Sequence, residues 1–288
     1  GRAYSYAWCD FTQKEVALGF LLELVCQTSE ERDVLCHLFV TQNHPIFALG
    51  AVKIAESQGD GRRSLMRRTT WLSERIVNWF CGTVDIPHTV TGSVGGLRTV
   101  DRSLEDVLLP EDVKEGANRA FASLFRTGED TRCVYLHSGP GTGKLSLCEV
   151  AASQLGRPLL VGDCADLAQD PAFFYERLLR FFCEVRLQNA IPVLARADSL
   201  DIEQGEDSPK QKKLRALQRA LRTYSGPLLM TGIKRIGELG DAITGLVEIG
   251  LPHPTPAFQA ELWKRALPEN ASFLAGFSID DVVQRYSL

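Results

Sequence analysis

No run of eighteen apolar residues occurs in this chain, so the sequence encodes no membrane-spanning helix. No C-x-x-C pair occurs among the eight cysteines, Cys9, Cys26, Cys36, Cys81, Cys133, Cys148, Cys164 and Cys183, and their spacings match no zinc site. Several stand in apolar runs (Leu24-Val25-Cys26, Phe181-Phe182-Cys183), the pattern of reduced core cysteines in a cytosolic protein. The five histidines, His37, His44, His88, His137 and His253, are scattered without metal spacing, and no Ser-His-Asp or Cys-His arrangement can be argued. No apolar signal core follows Gly1-Arg2-Ala3-Tyr4, so export is not indicated and a cytoplasmic location is expected. An initial Met is also missing, and the expectation is a piece of a longer protein. Excess positive charge is absent too: the net charge is −4, which excludes a nucleic-acid-binding polycation. Internal repeats and low-complexity runs are lacking.

What is present is enough to bury a core. The chain has 288 residues, 44% of them hydrophobic, sufficient for one large domain or two ordinary ones. Residues 1–82 read as a mostly helical domain. Val16, Phe20, Leu21, Leu24 and Val25 recur at helical spacing, and Val34, Leu35, Leu38 and Phe39 form a second apolar face. A third helix is expected over 47–56, a small hairpin at 61–72, and a last helix over 73–80 with Ile76, Val77 and Phe80 on one side. Residues 83–102, rich in Thr, Ser and Gly, read as a linker.

From Ser103 the pattern alternates between strand and helix. Strands are expected at 133–137, 158–162, 191–194, 227–231 and 246–251. Helices are expected at 144–155, 171–187 and 208–224, then 257–266 and 278–286. This alternation argues a parallel sheet between helices over 103–254, with helices continuing over 255–288.

Between the first strand and its helix lies Ser138-Gly139-Pro140-Gly141-Thr142-Gly143-Lys144-Leu145. Glycines let a chain curl so that several backbone N–H groups converge on a phosphate. The following helix turns its positive end to the same point, and Lys144 would reach the β and γ phosphates. The pattern G-x-x-x-x-G-K-[ST] is missed at both ends: Ser138 replaces the first glycine, and Leu145 replaces the hydroxyl that holds magnesium. Ser146 is one residue further, about 100° around the helix, and is expected to point elsewhere. The candidate nucleotide-binding residues are therefore 138–146, with magnesium weak or absent.

These residues resemble the AAA family of ATPases. Ser103–Pro110 looks like the lead-in segment beside the adenine, and Ser138–Leu145 resembles the family's G-P-P-G-T-G-K-T. The strand Ile191-Pro192-Val193-Leu194-Ala195-Arg196-Ala197-Asp198-Ser199-Leu200 resembles the Walker B segment, four apolar residues and then D-E. In that register Ala195 stands for the metal-orienting Asp and Arg196 for the catalytic Glu, while Asp198-x-Leu200 fits. A rival register makes Asp198 the acid, puts Ser199 at the base position and sets Arg196 inside the strand. Neither supplies a general base. Met230-Thr231-Gly232 replaces the family's A-T-N, the stretch 241–246 lacks an arginine finger, and 163–170 lacks the aromatic-x-Gly loop that grips polypeptide.

The resemblance implies a P-loop NTPase fold, a three-layer αβα parallel sheet with the start of a helical lid. It is preceded by a mostly α, winged-helix-like module, for which Trp71–Gly82 is the nearest match. Such degenerate copies occur as the first module of bacterial tandem AAA proteins, with an intact copy following and, in some, contractile injection systems encoded alongside. The expected function is an ATP-binding module that binds ATP or ADP and hydrolyses it poorly. It would have a regulatory or structural role beside a second AAA module or AAA subunits. The alternatives are a scaffold that no longer binds nucleotide and a DNA-binding ATPase using the N-terminal module. For the last, Arg62, Arg63, Arg67 and Arg68 would meet phosphates, although a solvated patch is the plainer reading. The basic helix carrying Lys210, Lys212, Lys213, Arg215, Arg219 and Arg222 reads as an amphipathic surface helix whose charged face could meet an acidic neighbouring subunit.

Overall fold

The computed structural model describes residues 16–41, 44–55, 65–82, 85–93, 95–99, 101–126, 131–201, 209–237, 240, 243–267 and 278–285. The chain divides into two compact units, Gly1–Asp85 and Ile86–Leu288.

The first unit contains α1 (Leu18–Val25), α2 (Ser29–Thr41), α3 (Pro45–Ala48), β1 (Val52–Ile54), β2 (Thr70–Leu72) and α4 (Glu74–Phe80). β1 and β2 pair antiparallel, with Lys53 opposite Trp71. The third helix expected over 47–56 is one turn, and the chain enters β1 at Val52. Val52 and Ile54 are better placed as alternating strand residues than as a helix, since Gly50, at φ 72°, breaks the backbone before them. Thr70–Leu72 thus pairs with Val52–Ile54, and residues 61–64 of the hairpin expected at 61–72 lie outside the described residues. The buried face of α1 is Leu18 and Leu22, not the row of Leu24 and Val25, which are exposed. On α4 only Ile76 is buried, while Val77 and Phe80 face outward. Arg62 and Arg63 lie outside the described residues. Arg67 is exposed, but Arg68 is half-buried with its Nε covered, so these two do not form a continuous solvated patch.

The second unit is a six-stranded sheet flanked by helices. Its elements are α5 (His88–Thr91), β3 (Gly96–Arg98), α6 (Glu111–Phe125), β4 (Cys133–His137), α7 (Lys144–Gln154), β5 (Leu159–Asp163) and α8 (Cys164–Leu167). There follow α9 (Phe174–Leu187), β6 (Ile191–Ala195), α10 (Pro209–Thr223), β7 (Leu228–Gly232), β8 (Leu246–Gly250), α11 (Pro256–Ala266) and α12 (Ile279–Arg285). The strand order is β3-β5-β6-β7-β4-β8. All neighbours are parallel except β3, which runs antiparallel to β5 with Leu97 opposite Leu160.

The stretch 83–102, expected as a linker, supplies α5 and that edge strand. The four inner strands are buried on both faces, which explains why they read as continuous apolar runs. Val134, Leu136, Leu159, Val161, Ile191, Val193 and Leu229 share one cluster with Ala117, Phe121 and Leu124 of α6 and Leu147, Val150 and Ala151 of α7. The alternate residues turn to the opposite face. Among the described residues, no helix is long and apolar enough to cross a membrane.

Candidate functional site

The strand order sets the site. β4 lies between β7 and β8, while the chain leaves β4 for β5 on the far side of β7 and β6. A crevice therefore opens beyond the carboxyl ends of the strands, where ligands of open α/β sheets sit. The segment 138–143 fills that position, between β4 and α7. Gly141 (φ 74°) and Gly143 (φ 85°) adopt left-handed conformations that cost a side-chain-bearing residue about a kcal/mol or more. Gly143 is also the N-cap of α7, so the helix begins at Lys144.

The other loop residues hold this shape. Ser138 is buried, and its Oγ donates to Leu251 O at 2.7 Å, tying the loop to the chain after β8. Thr142 Oγ1 donates to Gly139 O at 3.0 Å. Lys144 Nζ donates to Ser138 O at 2.7 Å and to Gly139 O. Burial pulls the Lys144 pKa below its ordinary 10.5, and the Asp198 carboxylate opposes that shift.

A cavity of about 430 Å³ opens over the loop. Pro140 through Ser146 line it, with Val107–Leu109, Thr231, and Pro254 and Leu262 from the start of the lid. Ser146, expected to turn away, borders this cavity as well. Asp106, within the expected lead-in segment, completes the lining together with Arg102, just before that segment. Arg102 Nε lies 3.4 Å from Glu149, a buried carboxylate on α7 that also faces Arg98 of β3 at 3.5 Å. Asp106 accepts from the Ser103 backbone N–H at 2.7 Å, which holds its pKa below the usual carboxylate range and shapes the lead-in turn.

The metal side of the site is hydrocarbon. Leu145 and Ala195 both pack against the apolar cluster of α6, α7 and the sheet. Hard divalent cations need oxygen ligands, and these two positions offer none. Among the described residues, no group of three or more His, Cys, Asp or Glu side chains could hold a metal.

β6 ends at Ala195 and the chain turns at Arg196 (φ 54°), so Arg196 is not inside the strand as the rival register requires. The Arg196 guanidinium is already occupied. Its Nε is 2.8 Å from each oxygen of Asp163, and a terminal nitrogen is 3.1 Å from Asp166 Oδ1. Asp163 is 2% exposed, whereas Arg196 is half exposed. Asp166 in turn accepts from the Ser93 hydroxyl and, at 2.8 Å, from the Ser93 N–H. These Ser93 bonds, with Arg196 adding to them, hold the Asp166 carboxyl below its usual range. The position expected for a general base is thus a cation locked between two carboxylates.

Gly232 ends β7 where a water-orienting Asn is expected. A side chain at 232 would place its Cβ over the Tyr135 hydroxyl and 2.7 Å from Asp198 Oδ1. Tyr135 is fully buried and donates to Lys234 O, so it cannot move aside. His137, the last residue of β4, stacks its ring on Tyr135, and its Nε2 lies 3.7 Å from Glu248 of the neighbouring strand.

Fold and loop together define a P-loop αβα domain. No protein-family model matches this chain, and no curated protein matches it either. Solved structures do. The AAA domain of FIGL-1 in complex with ADP superposes with a TM-score of 0.50 at 15% identity, covering 69% of this chain and 73% of that one. Another structure of the FIGL-1 AAA domain gives 0.49 at 16% identity, over 69% and 72% of the two chains. A structure concerned with katanin self-assembly gives 0.48 at 19%, over 66% and 67%. At these identities the likeness is one of fold, and the fold is that of an AAA ATPase domain.

Proposed function

We propose that this chain is a nucleotide-binding module that holds ATP or ADP without needing magnesium, hydrolyses ATP poorly, and serves a regulatory or structural role beside an active AAA module. The observation that carries this reading is an asymmetry within one site. The amide-rich loop, the α7 N-terminus and Lys144 keep the form that receives phosphates. The two positions that would handle the metal are apolar and packed into the core. Loop amides and one ammonium would hold the phosphate oxygens, and Arg102 lies at the mouth of the same cavity. Arg196, bound to Asp163 and Asp166, has no lone pair with which to take a proton from water. Such parts each contribute about two to five orders of magnitude to phosphoryl transfer.

A thermal melt tests the reading. ATP at about a hundred times its dissociation constant stabilises the folded state by about 2.7 kcal/mol. The gain is expected to be the same in magnesium and in EDTA, and to vanish in Lys144→Ala. A gain that appears only with magnesium would count against the reading.

Lys144 also sets a pH dependence. Its ammonium binds phosphate and its neutral amine does not, so affinity is expected to be full below the Lys144 pKa and lost as pH rises through it. Because burial lowers that pKa, the loss begins at lower pH than for an ordinary lysine. Asp198→Asn removes the opposing carboxylate and is expected to move the loss further down. Dissociation constants across a pH series check this, and superimposable profiles would contradict it.

One observation favours a second reading, a scaffold that no longer binds nucleotide: Lys144 Nζ is satisfied by the loop's own carbonyls. No ATP-dependent melt shift at millimolar nucleotide would select it.

A further inference from the structure

We propose that α10 and the cleft at its carboxyl end form a docking surface for an acidic segment of a partner protein. Two features of different origin meet there. The first is in the sequence of the helix. Pro209–Thr223 carries six cations, Lys210, Lys212, Lys213, Arg215, Arg219 and Arg222, and no carboxylate, in a chain whose net charge is −4. Lys212, Arg215, Arg219 and Arg222 are exposed and follow one another at spacings of three, four and three. That spacing keeps them on one helical face, in a row about 15 Å long. The apolar stripe, with Leu217 and Ala220 buried, fixes which face turns outward.

The second feature is the cleft. About 600 Å³ opens where α10 ends, at the amino ends of β4, β7 and β8. It lies at the other end of the sheet from the phosphate loop, about 16 Å away by the length of a five-residue strand. Leu221, Leu228 and Ile243 give it an apolar lining, and Arg132 and Arg222 give it charge, with no Asp or Glu contributing among the described residues. Both arginines are exposed, and among the described residues neither makes an ion pair. The C-terminal dipole of α10 accounts for one cation there, Arg222. It does not account for Arg132, which arrives from the start of β4 with its backbone N–H tied to Gly245 O at 2.8 Å. Tyr224 between them is held rigid, stacked on Phe182 at 4.3 Å.

Two guanidiniums over an apolar floor suit carboxylates presented with neighbouring apolar side chains. A nucleic acid has no side chain for the floor, and the negative charge of the whole chain opposes a long polyanion.

The test uses the full chain and a short fluorescent peptide of alternating Glu and Leu blocks. Controls are the same peptide with Gln for Glu, inorganic phosphate and a short DNA duplex. The Glu peptide is expected to bind, to weaken with salt, and to lose roughly tenfold or more in affinity with Arg132→Gln/Arg222→Gln and with Lys212→Gln/Arg215→Gln. Because these side chains are exposed, the variants should keep the wild-type melting temperature, which separates loss of binding from loss of fold. Equal binding of the Gln peptide overturns the proposal, as does unchanged affinity in both variants. So does displacement of the peptide by the duplex or by phosphate alone. Self-association of the wild-type chain that the variants abolish would make the occupant a second copy and would equally overturn it.

Discussion

Arg196→Glu, the substitution that puts a carboxylate where the AAA resemblance leads one to expect a general base, is expected to destabilise the protein rather than to activate it. In the wild type the Asp163 carboxylate is 2% exposed and takes two 2.8 Å bonds from the Arg196 guanidinium. Glutamate would remove that partner and bring a third carboxylate toward Asp163 and Asp166. Breaking a buried pair from one side costs about 3–5 kcal/mol, and like-charge crowding adds to it. Arg196→Ala should cost less, about 2–3 kcal/mol, because the guanidinium is half exposed and Asp163 keeps the Ala165 N–H at 3.0 Å. Arg196→Lys should be intermediate, since an ammonium cannot make the two-pronged contact.

The pH dependence carries part of this. The folded wild type holds the Asp166 carboxyl below its usual range, first through the Ser93 bonds and in smaller part through Arg196, so that contribution is present above about pH 4 and is lost as pH falls through the lowered value, and the Ser93 share of it persists in every Arg196 variant. In the glutamate variant, crowded carboxylates gain protons on acidification, and the stability gap to wild type should narrow. Denaturant titrations from neutral to acid pH measure it. A variant as stable as wild type, or one that hydrolyses ATP, would refute the role given to Arg196.

Gly232→Asn is the second expected loss. It introduces the residue type that the AAA resemblance leads one to expect at this position, but there is no room for it. Its Cβ would fall on the buried Tyr135 hydroxyl and 2.7 Å from Asp198 Oδ1. Overpacking of this kind costs about 1–3 kcal/mol, and loss of the Tyr135 bond to Lys234 O about 1 more. For a domain of this size each kcal/mol lowers Tm by about 2–4 °C. A companion Tyr135→Phe change removes the obstructing hydroxyl and should recover part of the loss. Unchanged Tm in Gly232→Asn alone would show that the space is not closed.

These two sites also mark what sequence could and could not disclose. The loop was legible because its residues act locally: glycine freedom, a helix start and one lysine. β4 through β7 were legible because buried parallel strands read as apolar runs. β3 was not, since Gly96–Arg98 is three residues in a Gly- and Thr-rich stretch and becomes a strand only by pairing with β5. The hairpin of the first unit fails for the same reason, as Val52–Ile54 finds its partner eighteen or so residues on at Thr70–Leu72.

The register of Arg196 stayed open in the sequence because its partners lie 33 and 30 residues away, at Asp163 and Asp166. The closure around Gly232 depends on Tyr135, on a neighbouring strand, and on Asp198 after β6. Departures of single residues from the pattern the chain resembles can be read one by one. What those positions meet, an apolar cluster at 145 and 195, an ion pair at 196 and two side chains at 232, is a property of the packing.

Incubation with ATP labelled on the terminal phosphate, followed by recovery of protein-bound nucleotide, tests both halves of the account at once. The label is expected to stay on the protein as intact ATP, equally with magnesium and with EDTA, and to be absent from Lys144→Ala. Rapid release of labelled phosphate that requires Lys144 would contradict it, and so would wild-type protein that retains no label.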